Sequence, residues 1–128
     1  MLNKNIVDYM GCDCTYEEAD IVLYGAPFDS TTSFRPGTRF AGGAIRTDSY
    51  GLELYSPYQD RSLEECRVFD MGDLELAIGS SEKVLDEIEE TAGEIFRDGK
   101  LPFLIGGEHL VTLGSVRAAA RKYPGLHI

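Results

Sequence analysis

The sequence predicts an α/β domain built on a parallel sheet. Three observations carry that expectation. Short apolar runs, each stopped by glycine or proline, read as buried strands. Between them lies a long segment whose apolar residues recur at helical spacing. The order strand, helix, strand then calls for parallel pairing through right-handed crossovers.

The first strand is "DIVLYG" (20–25), stopped by Gly25 and Pro27. A long loop follows, "APFDSTTSFRPGTRFAGG", rich in Ser, Thr, Gly and Pro; a loop of that length inside a domain is usually functional or disordered. "AIRTDSYGLELY" reads as a short helix or as irregular chain. The second strand is "CRVFDMG" (66–72), running into the acidic turn "DMGD". In "SSEKVLDEIEETAGEIFRDGK" the residues Val84, Leu85, Ile88, Ala92, Ile95 and Phe96 form one apolar face. Ser80 or Ser81 caps that helix, Glu82 suits its positive start and Gly99 its exit. "LPFLI" (101–105) is the third strand. A third helix starts near His109 or Leu110 and stops at Tyr123-Pro124-Gly125, with Arg121 and Lys122 at its negative end. "LHI" reads as the start of a fourth strand. Three helices are few to cover both faces of a parallel sheet.

At 128 residues the chain is one domain or part of one, and 43% apolar residues are enough for a modest core. A formal charge of −10 argues against a nucleic-acid surface, which needs clustered Lys and Arg, and suits a cationic small substrate. No apolar segment approaches the roughly 18 residues that span a bilayer, so no membrane partner is expected. The first twenty residues carry no signal-peptide block, which points to the cytoplasm. Cys12, Cys14 and Cys66 are odd in number, which does not suggest a disulfide framework; Cys12-Asp-Cys14 could begin a metal site, but no second cysteine or histidine pair follows, and the three read as ordinary thiols.

Ligands of open parallel sheets gather outside the carboxyl ends of the strands. Three loops leave such ends here. In Gly106-Gly107-Glu108-His109, two glycines allow a sharp turn and a close approach, and His109 then projects at the start of a helix. Imidazole there is a metal ligand or a hydrogen-bonded helix-start residue; spacing alone favours the second. Asp70 and Asp73 bind a cation or fix a turn, and the turn reading is the stronger. The loop after the first strand holds Asp29, the hydroxyl run Ser30-Thr31-Thr32-Ser33, Phe34 and two arginines. It closes over a substrate or is simply structural. Its glycines match neither phosphate-cradling pattern.

Taken together, "GAPFDSTTSFRPGTRFAGGAIR", "DSYGLELYSPYQD", "VFDMGDLEL" and "FLIGGEHLVTLGSVRA" resemble, in order and spacing, the ureohydrolase family, which includes arginase and agmatinase. The match covers residues 24–118 and is to the family's N-terminal half; "SPYQDRSL" and "GGEH" are more similar to the agmatinase branch. One departure is Ala41-Gly42 where the family often has Gly-Pro, which alters local stiffness only.

The resemblance implies a three-layer α/β fold with a mainly parallel sheet of the arginase type, here cut off after about three strands. Residues 1–128 are then the N-terminal portion of a single ureohydrolase domain. It implies hydrolysis of a guanidino group, agmatine to putrescine and urea, at a pair of manganese ions, with guanidinobutyrate- or formimidoylglutamate-type substrates as relatives. His109 is the family's first metal ligand. Glu108 is expected to orient the site from just behind it, and Thr32, Ser33 and Phe34 to line the substrate entrance. The five further ligands, in Asp-x-His-x-Asp and a later Asp-x-Asp, have no counterpart in these residues, and His127 is not assigned to metal. The chain alone is therefore expected to be inactive and to contain no catalytic residue. Whole family members are commonly trimers or hexamers. Two rival expectations are a non-catalytic remnant that meets partners through an open sheet edge, and a flavodoxin-like module that binds a small ligand without metal.

Overall fold

The structure is a computed structural model and describes residues 7–128. In chain order its elements are β1 (Ile21–Ala26), α1 (Ala41–Ser49), the short hairpin β2 (Tyr55–Ser56) and β3 (Arg61–Ser62), β4 (Val68–Asp73), α2 (Ser81–Arg97), β5 (Leu101–Gly106) and α3 (Thr112–Lys122). Among these residues no helix is long and apolar enough to cross a membrane.

β1 lies in the centre of a parallel sheet of order β4-β1-β5. Five of its six residues are buried, which explains its unbroken apolar sequence. Gly25 is needed at its end: a Cβ there would lie 1.9 Å from the Asp73 carboxylate, and the β1–β4 register shifts just before it.

One face of the sheet presents Val22, Tyr24, Ala26 and Phe69 to the apolar stripe of α2, namely Val84, Ile88, Ala92, Ile95 and Phe96. Ser80 caps α2, its Oγ accepting the Lys83 N–H at 3.3 Å. Gly99, at φ 76°, turns the chain out of the helix into β5, as its position predicted. α3 packs on α2 so closely that a Cβ on Gly114 would sit 2.7 Å from Ile88. The Tyr24 hydroxyl reaches Ser115 at 2.7 Å, so the polar end of this buried ring is satisfied.

The opposite face carries Leu23, Val68 and the residues alternate with Phe69, and is covered by the segment around Cys12, by Leu63 and by α1. Helices α2 and α3, the sheet, and α1 with its neighbouring segments make the three layers. Coverage of this second face is partial, as the shortage of helices predicted. Tyr9, Met10, Ile21, Leu23, Phe103 and Ile105 line an apolar groove of about 320 Å³, and Leu101 and Phe103 remain exposed.

Three expectations are corrected. "AIRTDSYGLELY" holds the short helix in its first half only: α1 begins earlier, at Ala41, ends at Ser49, and Tyr55 enters the hairpin. Residues 126–128 form no strand; they pair with no strand of the sheet, and the Leu126 N–H bonds the Tyr123 carbonyl at 3.0 Å as a turn. The third helix is preceded by a 3-10 turn over His109–Val111, so α3 proper starts at Thr112.

A buried ion pair ties α1 to the sheet. Arg46 is 2% exposed and forks onto Asp70, fully buried in β4, through Nε at 2.8 Å and Nη2 at 3.0 Å. Its Nη1 takes Asp73 at 2.5 Å. Asp70 also accepts the N–H groups of Tyr9 and Gly72, at 2.9 Å each. Burial opposes the Arg46 charge, but the bonds to Asp70 and Asp73 outweigh it and push its pKa up. Replacing Arg46 by Leu strands a buried carboxylate, and such a break costs about 3–5 kcal/mol. Urea denaturation of Arg46→Leu is expected to show a loss of that size, with Asp73→Asn losing less because water reaches Asp73. Equal losses for the two would refute this account.

Candidate functional site

The site is built where β1 and β5 leave the sheet side by side. Ala26 lies opposite Gly106, so the two exits are level. The Gly107 N–H donates to the Ala26 carbonyl at 2.9 Å, and the Glu108 N–H to the Phe28 carbonyl at 2.8 Å. These bonds extend the strand pairing past the sheet and seat the loop after β1 against the loop after β5. Gly107 permits it: a Cβ there would fall 2.1 Å from the Phe28 oxygen. That is the close approach the paired glycines predicted.

Two buried carboxylates then shape the loop. Glu108, 9% exposed, accepts the Thr31 N–H at 3.2 Å and also the Thr31 hydroxyl. Asp29, 4% exposed, accepts the N–H groups of Gly37 at 2.6 Å and Arg39 at 3.2 Å, and pairs with the Arg39 guanidinium at 2.9 Å. Burial works against ionising Asp29, yet the Gly37 N–H and Arg39 together hold its carboxyl below the usual aspartate range. Thr32 closes the turn by donating to the Asp29 carbonyl at 3.2 Å. Ser33 and Phe34 stand exposed at the tip, Phe34 at 76%, with the Arg35 guanidinium 5.2 Å from its ring centre.

His109 follows Glu108 at the head of the 3-10 turn. Its side chain is exposed, and among the described residues no hydrogen bond or ion pair engages the imidazole. The reading of a hydrogen-bonded helix-start histidine does not describe it. Glu108, expected to orient that imidazole, engages Thr31 instead. His109, Glu108 and Thr31 to Phe34 are thus brought to one end of the sheet, as spacing predicted. Asp70 and Asp73 are not part of this group; they are committed to Arg46. The turn reading was nearer for Asp70, which does accept the Gly72 N–H, but it missed the arginine. An aspartate inside an apolar strand requires a cation, and that was the available signal for Arg46.

An exposed imidazole without a partner fits one position in a metal shell. Among the described residues, no three His, Cys, Asp or Glu side chains converge as a metal site. The cysteines form no disulfide, and burial, with Asp70 and Asp13 nearby, pushes the Cys12 thiol up to about 12. A larger groove of about 560 Å³ between α2 and α3, lined in part by Glu89, Arg97 and Arg121, takes in none of the candidate residues.

The arginase family model matches residues 19–128. The chain belongs to the arginase family. An agmatinase of Bacillus anthracis is 49% identical over 114 residues, which is 89% of this chain and 39% of that protein. The crystal structure of agmatine ureohydrolase from Thermoplasma volcanium superposes with a TM-score of 0.83 at 36% identity, over 89% of this chain and 39% of that one. Trypanosoma cruzi formiminoglutamase, in a crystal structure with manganese, superposes with a TM-score of 0.74 at 25% identity, over 87% of this chain and 39% of that one. The chain therefore spans about two fifths of the length of the family members it matches. Its parallel α/β architecture is the one those structures share.

Two outcomes are expected from the loop geometry. Gly107→Ala drives the loop off β5 and lowers stability by about 1–3 kcal/mol, the usual cost of overpacking. Thermal unfolding and faster trypsin cleavage after Arg39 measure it; an Ala variant as resistant as the parent contradicts the close approach. Because the Asp29 pKa is lowered on folding, its anchoring of Gly37 is complete above the ordinary aspartate value of about 3.9 and is lost only as pH falls through the lower folded value. An acid titration followed at the Gly37 amide resonance should have its midpoint below that value, and a midpoint above it would reject the assignment.

Proposed function

We propose that the chain is the N-terminal part of a manganese-dependent ureohydrolase that converts agmatine and water to putrescine and urea. The observation that carries this reading is the end of β5: an exposed, unpartnered His109 beside a loop that two carboxylates hold in place. The identity to an agmatinase and the likeness to an agmatine ureohydrolase favour agmatine over other guanidino or amidino compounds. The net charge of −10 favours a cationic substrate as well.

His109 fits as one ligand, its neutral imidazole offering a ring-nitrogen lone pair, and manganese accepts mixed histidine and carboxylate shells. When bound, a pair of such ions lowers the pKa of water toward neutrality and polarises the guanidino group. The rest of the work assigned to this chain is positioning. Gly107 lets the two loops meet, Asp29 and Glu108 hold the loop, and Thr32 to Phe34 line the entrance for the carbon-chain end of the substrate. One imidazole does not hold a labile manganese ion against water, so the 128-residue chain alone is proposed to be inactive. The whole enzyme is proposed to be a homo-oligomer.

A chimera decides the matter. The matched 114 residues of the Bacillus anthracis agmatinase are replaced by the corresponding residues of this chain. The chimera is expected to release urea from agmatine with manganese and to stop on chelation. His109→Ala should cost at least the roughly 10–100-fold that loss of a mere supporting partner costs a metal site. The 128-residue chain should release none. A folded chimera without urea release, or one indifferent to His109→Ala, overturns the reading.

A further inference from the structure

Glu108 stands next to an exposed imidazole, yet its buried carboxylate serves a different partner. Both of its oxygens are engaged by Thr31, one by the N–H at 3.2 Å and the other by the hydroxyl. Asp29 holds the far limb of the same loop through Gly37 and Arg39. The residues between these anchors, 32–36, form a tip fixed at both ends. The near anchor belongs to the β5 exit, one residue before His109, so the distance from the tip to the imidazole is set by Glu108. At the tip, the ring of Phe34 already meets a cation, the Arg35 guanidinium at 5.2 Å, so its face is the kind of surface a cationic chain end uses.

We propose that Glu108 is a positioning residue for substrate specificity: by latching Thr31 it sets the reach between His109 and the Thr32–Phe34 tip, and so selects alkylguanidines by the length of the cationic chain beyond the guanidino group. This rests on the ureohydrolase reading above. The latch is a part-buried, two-point contact to a carboxylate, the kind of contact that holds a loop in one geometry. A loosened tip still admits substrate but no longer grips its non-reacting end, which weakens binding more than turnover.

The test has two arms. Amide hydrogen exchange on the 128-residue chain compares the parent with Glu108→Ala, Thr31→Val and Thr31→Ser. The amide at position 31 should exchange about tenfold faster or more in Glu108→Ala, the equivalent of one lost charge-assisted bond, and measurably faster in Thr31→Val, with Thr31→Ser restoring protection. Thr31 is exposed, so its variants remain informative should the buried Glu108→Ala fail to fold. Unchanged exchange in Thr31→Val, or a Ser variant as loose as the Val one, overturns the latch. In the agmatine-hydrolysing chimera, Thr31→Val should raise KM about tenfold with kcat within about threefold, and Thr31→Ser should recover KM. A fall in kcat at constant KM overturns the specificity role. A chimera without turnover in any form sinks the ureohydrolase reading instead, while exchange on the chain itself still decides the latch.

Discussion

The parallel pairing of β1 with β5, in register from Ile21 opposite Leu101 to Ala26 opposite Gly106, is the constraint on which the rest depends. It makes the two strand exits level and neighbouring. Everything at the site is then a continuation of that ladder. Gly107 and Glu108 pair with Ala26 and Phe28 beyond the last strand residue, and the side chain of Glu108 carries the same docking on to Thr31. Slipping the register by one residue would turn the strand faces over and separate the two exits.

The buried carboxylates show how an acidic chain places charge inside itself. Asp29, Asp70 and Glu108 are all buried, and each carboxylate accepts hydrogen bonds at both oxygens. Asp70 takes an arginine and two backbone N–H groups and so fastens α1 to the sheet. Asp29 takes an arginine and two N–H groups and closes a loop. Glu108 takes one N–H and one hydroxyl and joins two loops. Removing such a group from water is costly, so each survives only where the fold supplies donors around it. Asp70 and Glu108 consequently mark where segments far apart in sequence are locked together, and Asp29 where one loop is closed on itself.

The second face of the sheet has a different character. α2 and α3 cover most of the first face, whereas Leu101 and Phe103 of β5 are exposed beside an apolar groove. The family members that share this architecture are more than twice as long, the matched part of this chain making up 39% of their length. A parallel sheet is stable when both faces are buried, and this chain by itself buries one and part of the other.

Much of this was legible in the residues. β1, β4, β5 and α2 follow from apolar runs and a helical stripe, because those patterns report local geometry and burial that each segment carries within itself. The motif order around Gly106 to His109 and the loop after Gly25 pointed to one family and to one end of the sheet. The hairpin of β2 and β3 was not legible, since two residues per strand leave no periodicity to detect. Nor was the partner of Asp70, which comes from Arg46, 24 positions away, or that of Glu108, 77 positions away. Sequence by itself determined the main strands, the long helix, their order and the family, because those depend on near neighbours along the chain. Only the tertiary structure decided which donor answers each buried carboxylate, because a charge taken out of water is satisfied by whatever the fold brings within about 3 Å, and that distance has no expression in one dimension.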